Sequence, residues 1–162
     1  MRALDTCVTP GTQTHASDGM ASLLVTTEEK AKELSQKPEI AIRMVAKAEL
    51  RTQPSLMPEG PVLAVQKVLK QSGLTMADMA VVKNHNPFAV NDAIFSKVLE
   101  YDWRKMNNTG CFLVWGHPQG PTGMRAVIEL IEELTLLGGG WGLFQGCAAG
   151  DTSMATVIRV DC

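Results

Sequence analysis

The sequence predicts an α/β layered domain with a mostly packed central sheet. Three observations carry that expectation. Short apolar or alternating runs, the signal of strands, take turns along the chain with longer stretches of helical periodicity. Apolar residues make up 45% of the 162, enough for a core that needs neither disulfide nor metal to hold it. The chain also lacks internal repeats and low-complexity segments, so residues 1–162 read as a single domain.

The first 17 residues, rich in Thr, Ser, Pro and Gly, read as a loop or one short strand. Residues 20–25 form an apolar or small run that predicts a strand buried on both faces. Thr27 followed by Glu28 and Glu29 predicts an N-cap and a first turn whose acids suit the helix dipole; this helix is short and ends before Pro38. Ile40, Ile42, Met44, Ala46 and Ala48 alternate with charged residues, which predicts a half-solvated strand. Residues 50–60 carry Pro54 and Pro58 without periodicity and form a connecting loop.

Pro61 then suits a first helical turn, with Val62, Val65, Val68 and Leu69 as the apolar stripe and Ser72-Gly73 as the close. A brief turn over 75–78 feeds a short strand over 80–82. A helix follows over 87–99, with Phe88, Phe95, Val98 and Leu99 on its buried face. Residues 111–115 are a short apolar run between Gly110 and Gly116. The longest helix signal spans 121–137, with Val127, Ile131 and Leu134 on one face and Glu129, Glu132 and Glu133 largely on the other. Gly138-Gly139-Gly140 ends it, and strands over 141–145 and 153–160 close the domain around a turn at 146–151.

Composition excludes several classes of partner. A formal net charge of −2 with both signs interspersed, and only 5% aromatic residues, gives no surface for nucleic acid or an anionic membrane. Cys7, Cys111, Cys147 and Cys162 are far apart and form no CxxC pair, which predicts a reducing, cytoplasmic setting. No candidate ligands have metal-site spacing. No apolar stretch reaches the ~20 residues of a membrane span, and nothing after Met1-Arg2 resembles a signal peptide.

Three segments stand out against packing alone. Asn84-His85-Asn86-Pro87-Phe88 joins a strand end to a helix start, where ligands collect in α/β folds. Gly116-His117-Pro118-Gln119-Gly120 sets an imidazole between glycines that permit close backbone approach. Gly146 to Asp151 places Cys147 among small residues between two strands. Each has a plainer reading: a structural histidine, a small buried thiol, a helix cap. Together they are more persuasive than singly.

At these residues the chain resembles the thiolase family, in the branch that includes the thiolase domain of sterol-carrier protein X. Gly116-His117-Pro118 with Gly120 and Gly123 resembles the GHPxGxxG signature, and His85-Asn86-Pro87-Phe88 resembles an HDCF segment. Residues 73–82 are similar to the AGLTPxDIDV stretch, Ser17-Asp18-Gly19-Met20-Ala21 to the SDGAAA strand, and Cys147 to the cysteine of the CxGGG turn. Gly110-Cys111, Gln119, Pro121-Thr122, Asn86 and the Cys147-Ala148-Ala149-Gly150 turn depart from the family pattern.

The resemblance implies a five-stranded mixed sheet with helices on both faces, the C-terminal half of a duplicated fold. It implies His117, Cys147 and His85 as catalytic residues, with Asn86, Phe88, Gly116 and Gly150 binding substrate. The substrate would be a coenzyme A thioester, with no other cofactor. The nucleophilic cysteine would come from a thiolase N-terminal half, in a homo- or hetero-oligomer. A non-catalytic scaffold or regulatory subunit, and a small acyl-CoA or lipid-binding module, are the alternatives at this point.

Overall fold

The computed structural model describes residues 8–162; Cys7 lies outside the described residues. Four strands, β1 (Ala41–Arg51), β2 (Met79–Asn84), β3 (Gly139–Ala148) and β4 (Thr152–Asp161), form one sheet in the order β1-β4-β3-β2. β4 runs antiparallel to both neighbours, whereas β2 and β3 are parallel, so the sheet is mixed. The helices are α1 (Glu28–Leu34), α2 (Gly60–Ser72), α3 (Ala89–Leu99), α4 (Phe112–Trp115) and α5 (Thr122–Leu136). α2 covers β1, β4 and β3 with α3 beside it, and α5 covers β3 and β2 on the opposite face.

The sheet has four strands, not the expected five, and residues 20–25 account for the difference. Residues 20–25 form no strand: Met20, Leu24 and Val25 are 94%, 72% and 80% exposed and pair with nothing in the sheet. Residues 112–115, within the short apolar run between glycines, wind into the single turn of α4, where the Trp115 and Gly116 amides donate to the carbonyls of Cys111 and Phe112. Beside them, the free edge of β2 is already used. The Asn107 side chain accepts from the Asn84 amide at 2.9 Å and donates to the Asn84 carbonyl at 3.0 Å, occupying positions that another strand would fill.

α2 forms as its stripe predicts, with Val62, Val65, Val68 and Leu69 buried and Gly73 closing it at φ +71°. Thr27 caps α1, accepting from the Lys30 amide at 3.3 Å. β1 contains a bulge between Met44 and Ala46, and the extra residue reverses the facing of the strand. Ala46, Ala48 and Leu50 therefore enter the core under α2, while Ile42 and Met44 stay about half exposed on the other face.

In α3 Phe95 is fully buried, but Val98 lies on the solvent side. In α5 the packed line is Ala126, Leu130 and Leu134, each fully buried, with Val127 and Ile131 only at its margin. Glu129 and Glu133 do not face bulk solvent; they turn to Lys83, a β2 residue 1% exposed, at 4.0 and 2.8 Å. Gly142 lets α5 settle on β3, since a Cβ there would stand 2.8 Å from Leu134 Cδ1. β3 runs further than expected, from Gly139 to Ala148, so the hairpin turn shrinks and Cys147 sits in the ladder opposite Ser153. Among the described residues, no helix is long and apolar enough to cross a membrane.

Candidate active site

His85 stands one residue beyond β2 and prolongs the parallel ladder, its amide donating to the Gln145 carbonyl at 3.0 Å. Gly146 lies beside it, where a Cβ would come within 3.1 Å of the His85 Cβ. That close approach brings the imidazole over the next residue of β3: His85 Nδ1 is 3.8 Å from the Cys147 sulfur.

His117 arrives from the loop after α4. Its ring lies 4.9 Å from that of His85, centroid to centroid, tilted by 52°. Its Nδ1 is 2.8 Å from Thr122 Oγ1, the first residue of α5. The backbone is tied from upstream, because the His117 amide donates to the His15 carbonyl at 2.9 Å and Ala16 forms a bridge with His117. The same upstream segment also binds the His85 loop: Thr14 donates to the Pro87 carbonyl at 2.7 Å, and Ala89 donates to Thr12 at 2.9 Å. Residues 12–16 thus clasp both histidine-bearing loops.

His85, His117 and Cys147 line one cleft of about 860 Å³, with Gln119, Phe144 and Arg51 among the other wall residues. The His85 Nε2 is buried without a protein partner, a polar atom left available to whatever enters. Phe112 meets the His85 ring edge-on at 4.9 Å and fixes its plane.

Burial dominates the electrostatics. It holds the His85 imidazole down at about 4, helped by repulsion from His117. Burial also lowers His117 and pushes the Cys147 thiol up, the latter opposed by hydrogen bonds from its own backbone and Asn91. At neutral pH His85 is therefore an uncharged imidazole beside a protonated thiol. Such a pair can give a proton from sulfur and offer ring N–H groups to a developing oxyanion without an ion pair in the resting site.

The structure brings the three expected catalytic side chains together but keeps the four expected substrate-binding residues off the cleft wall. Asn86 is 1% exposed and spent on the protein, accepting from the Phe112 amide at 3.1 Å and donating to Asp92 at 2.7 Å. Phe88 precedes α3 as its N-cap and bridges to Gln13. Gly116, at φ +86°, lies against Ser17 and His15, and Gly150, at φ +77°, makes the hairpin turn beyond the cleft.

Three residues not assigned to the site from the sequence support it. Asn91 donates to the Cys147 sulfur at 3.9 Å. Thr122 bonds the His117 ring. Asp92 accepts from the side chains of both Asn84 and Asn86. No local signal marked Asn91 and Asp92, because polar and acidic residues are ordinary in the first turn of a helix.

The family model for the thiolase C-terminal domain matches residues 35–160. The 3-ketoacyl-CoA thiolase of Aliivibrio fischeri (strain ATCC 700601 / ES114) is 32% identical over 95% of this chain and 38% of its own length. The acetyl-CoA acetyltransferase of Allochromatium vinosum is 32% identical over 96% of this chain and 39% of its own. Among solved structures, the Bacillus anthracis acetyl-CoA acetyltransferase superposes with a TM-score of 0.76 at 31% identity, covering 83% of this chain and 34% of that one. Human mitochondrial 3-ketoacyl-CoA thiolase gives 0.71 at 31% identity, covering 75% and 31%. The chain spans about two-fifths of the length of the curated relatives it matches. With a match over most of its length to the C-terminal thiolase domain, the chain belongs to the thiolase family.

Proposed function

We propose that this chain is the acid/base-bearing C-terminal half of a thiolase-type acyl-CoA acyltransferase, working with an N-terminal thiolase half that supplies the nucleophilic cysteine. The observation that carries the reading is the meeting of His85, His117 and Cys147 in one cleft, with sulfur and imidazole 3.8 Å apart. Its substrate class is the 3-oxoacyl-CoA thioester.

In thiolysis the partner's cysteine sulfur attacks the 3-oxo carbon, and the bond between C2 and C3 breaks. The electron pair stays on C2 as the enolate of acetyl-CoA, and Cys147 delivers its proton there. Free coenzyme A then takes the acyl group from the partner's sulfur, which leaves as the thiolate that attacked, and the coenzyme A thiol proton passes through His117 to restore the Cys147 thiol. The N–H groups of His117 and His85 face the oxyanions that form in these steps. In the condensation direction the Cys147 thiolate removes the α-proton. General acid/base groups of this kind contribute about 10²–10⁴-fold each.

The test is to assay the chain with an N-terminal thiolase half for two reactions, acetoacetyl-CoA thiolysis and acyl exchange between coenzyme A thioesters. Cys147→Ala should abolish the first and leave part of the second, because only carbon–carbon chemistry needs a proton at C2. Equal loss of both reactions would refute the assignment. So would steady thiolysis by the chain without any other protein.

A further inference from the structure

The amide of Asn91 occupies an unusual position. It sits in the first turn of α3 and is 3% exposed, with its backbone N–H on the Phe88 carbonyl at 3.0 Å. Its side chain crosses to β3, where Nδ2 lies 3.9 Å from the Cys147 sulfur. The Oδ1 of the same amide is buried and has no partner. An apolar residue would fill this place without leaving a bare carbonyl oxygen, so packing alone does not account for an amide here.

The two ends of the amide match the two states of the sulfur. A thiolate accepts only, and Nδ2–H donates to it. A thiol carries a proton, and rotation of the amide about its last torsion turns Oδ1 toward that proton as an acceptor. The other groups near the sulfur do not serve both states. His85 presents a single ring nitrogen whose role follows its tautomer, and His117 is bonded to Thr122. Glu49 and Arg51 line the same cleft from β1, with Glu49 paired to Lys47 at 3.0 Å. On α3 itself, Asp92 is engaged by the Asn84 and Asn86 amides.

We propose that Asn91 is a positioning residue that governs the ionisation of Cys147, donating to the thiolate through Nδ2 and accepting from the thiol through Oδ1. This deepens the acid/base role given to Cys147 and rests on that role for its purpose, but not for its test. Thiol ionisation is measured without acyl-CoA or a partner half.

The experiment is pH-dependent iodoacetamide labelling of the folded chain, followed peptide by peptide so that Cys147 and Cys111 are read in one digest. Replacing Asn91→Leu removes the donor and should raise the Cys147 labelling midpoint by roughly one pH unit, the usual size of a lost hydrogen bond to the charged form. Asn91→Asp keeps the shape and adds negative charge, so its midpoint should rise at least as far. Cys111 should stay at its wild-type midpoint in both. Asn91→Ala, which removes the donor without added bulk or charge and should raise the Cys147 midpoint likewise, carries the test by itself if Asn91→Leu does not fold. An unchanged Cys147 midpoint, or an equal rise at Cys111, overturns the proposal. Should thiolysis fail while the Cys147 shift appears, Asn91 keeps its role and only the thiolase reading falls.

Discussion

His85 Nδ1 and Cys147 Sγ face each other at 3.8 Å from adjacent parallel strands, and neither is charged at neutral pH. Burying the His85 imidazole beside His117 has a measurable cost in acid. His85 titrates at about 4 in the folded chain against 6.5 when exposed, so the unfolded state binds the proton first as pH falls. Stability is complete above pH 6.5 and is lost progressively down to about 4. The loss from this residue is on the order of 3 kcal/mol. His117, shifted in the same direction, adds to it. Urea midpoints compared at pH 7 and pH 4.5 should therefore fall for the wild type and fall much less for His85→Phe.

The ion pair under α5 gives a second prediction. Lys83, 1% exposed, donates to Thr109 at 2.6 Å and pairs with Glu133 at 2.8 Å. Lys83→Met leaves a largely buried carboxylate without its cation and should cost about 3–5 kcal/mol. The double variant Lys83→Met with Glu133→Leu should recover most of that loss. A denaturation cycle over the four proteins reads the coupling directly, and additive losses would contradict it.

Most of the architecture, and the three side chains that meet in the cleft, were legible in the sequence, because each depends on local signals. Thr27 as a cap, the stripe ending at Gly73, and the histidines beside glycine or strand ends all announce themselves within a few residues. What could not be read depends on distant partners. The bulge at Val45 reverses a strand that alternates correctly on paper. Asn107 occupies the end of the β2 edge only once the chain has turned back. Glu133 reads as a solvent-facing acid until Lys83 lies beneath it. Asn86 resembled a ligand-binding residue because its position beside His85 was visible and its bonds to Phe112 and Asp92 were not.

Close packing of α5 on β3 predicts a steric effect. A methyl group at residue 142 would stand 2.8 Å from Leu134 and 2.9 Å from Leu130, both fully buried. Gly142→Ala should destabilise the chain by about 1–3 kcal/mol through overpacking. Leu134→Ala in the same background should give back part of the loss, as measured by thermal or urea unfolding.

Thr122 is expected to matter through His117 and not by contact with substrate. Its hydroxyl fixes the ring at Nδ1 from 2.8 Å. Thr122→Val keeps the shape and removes that bond, worth about 1 kcal/mol or roughly five-fold in rate. With the N-terminal half present, kcat for thiolysis should fall by about that factor while KM stays nearly unchanged. Thr122→Ser should restore it.

The clasp formed by residues 12–16 changes what counts as the working unit. The match to the thiolase C-terminal domain begins at residue 35, yet the carbonyl that holds the His117 amide belongs to His15. The family domain and the mechanical unit therefore have different borders. A chain trimmed to begin at residue 35 would keep all four strands and lose the tether on both histidine loops.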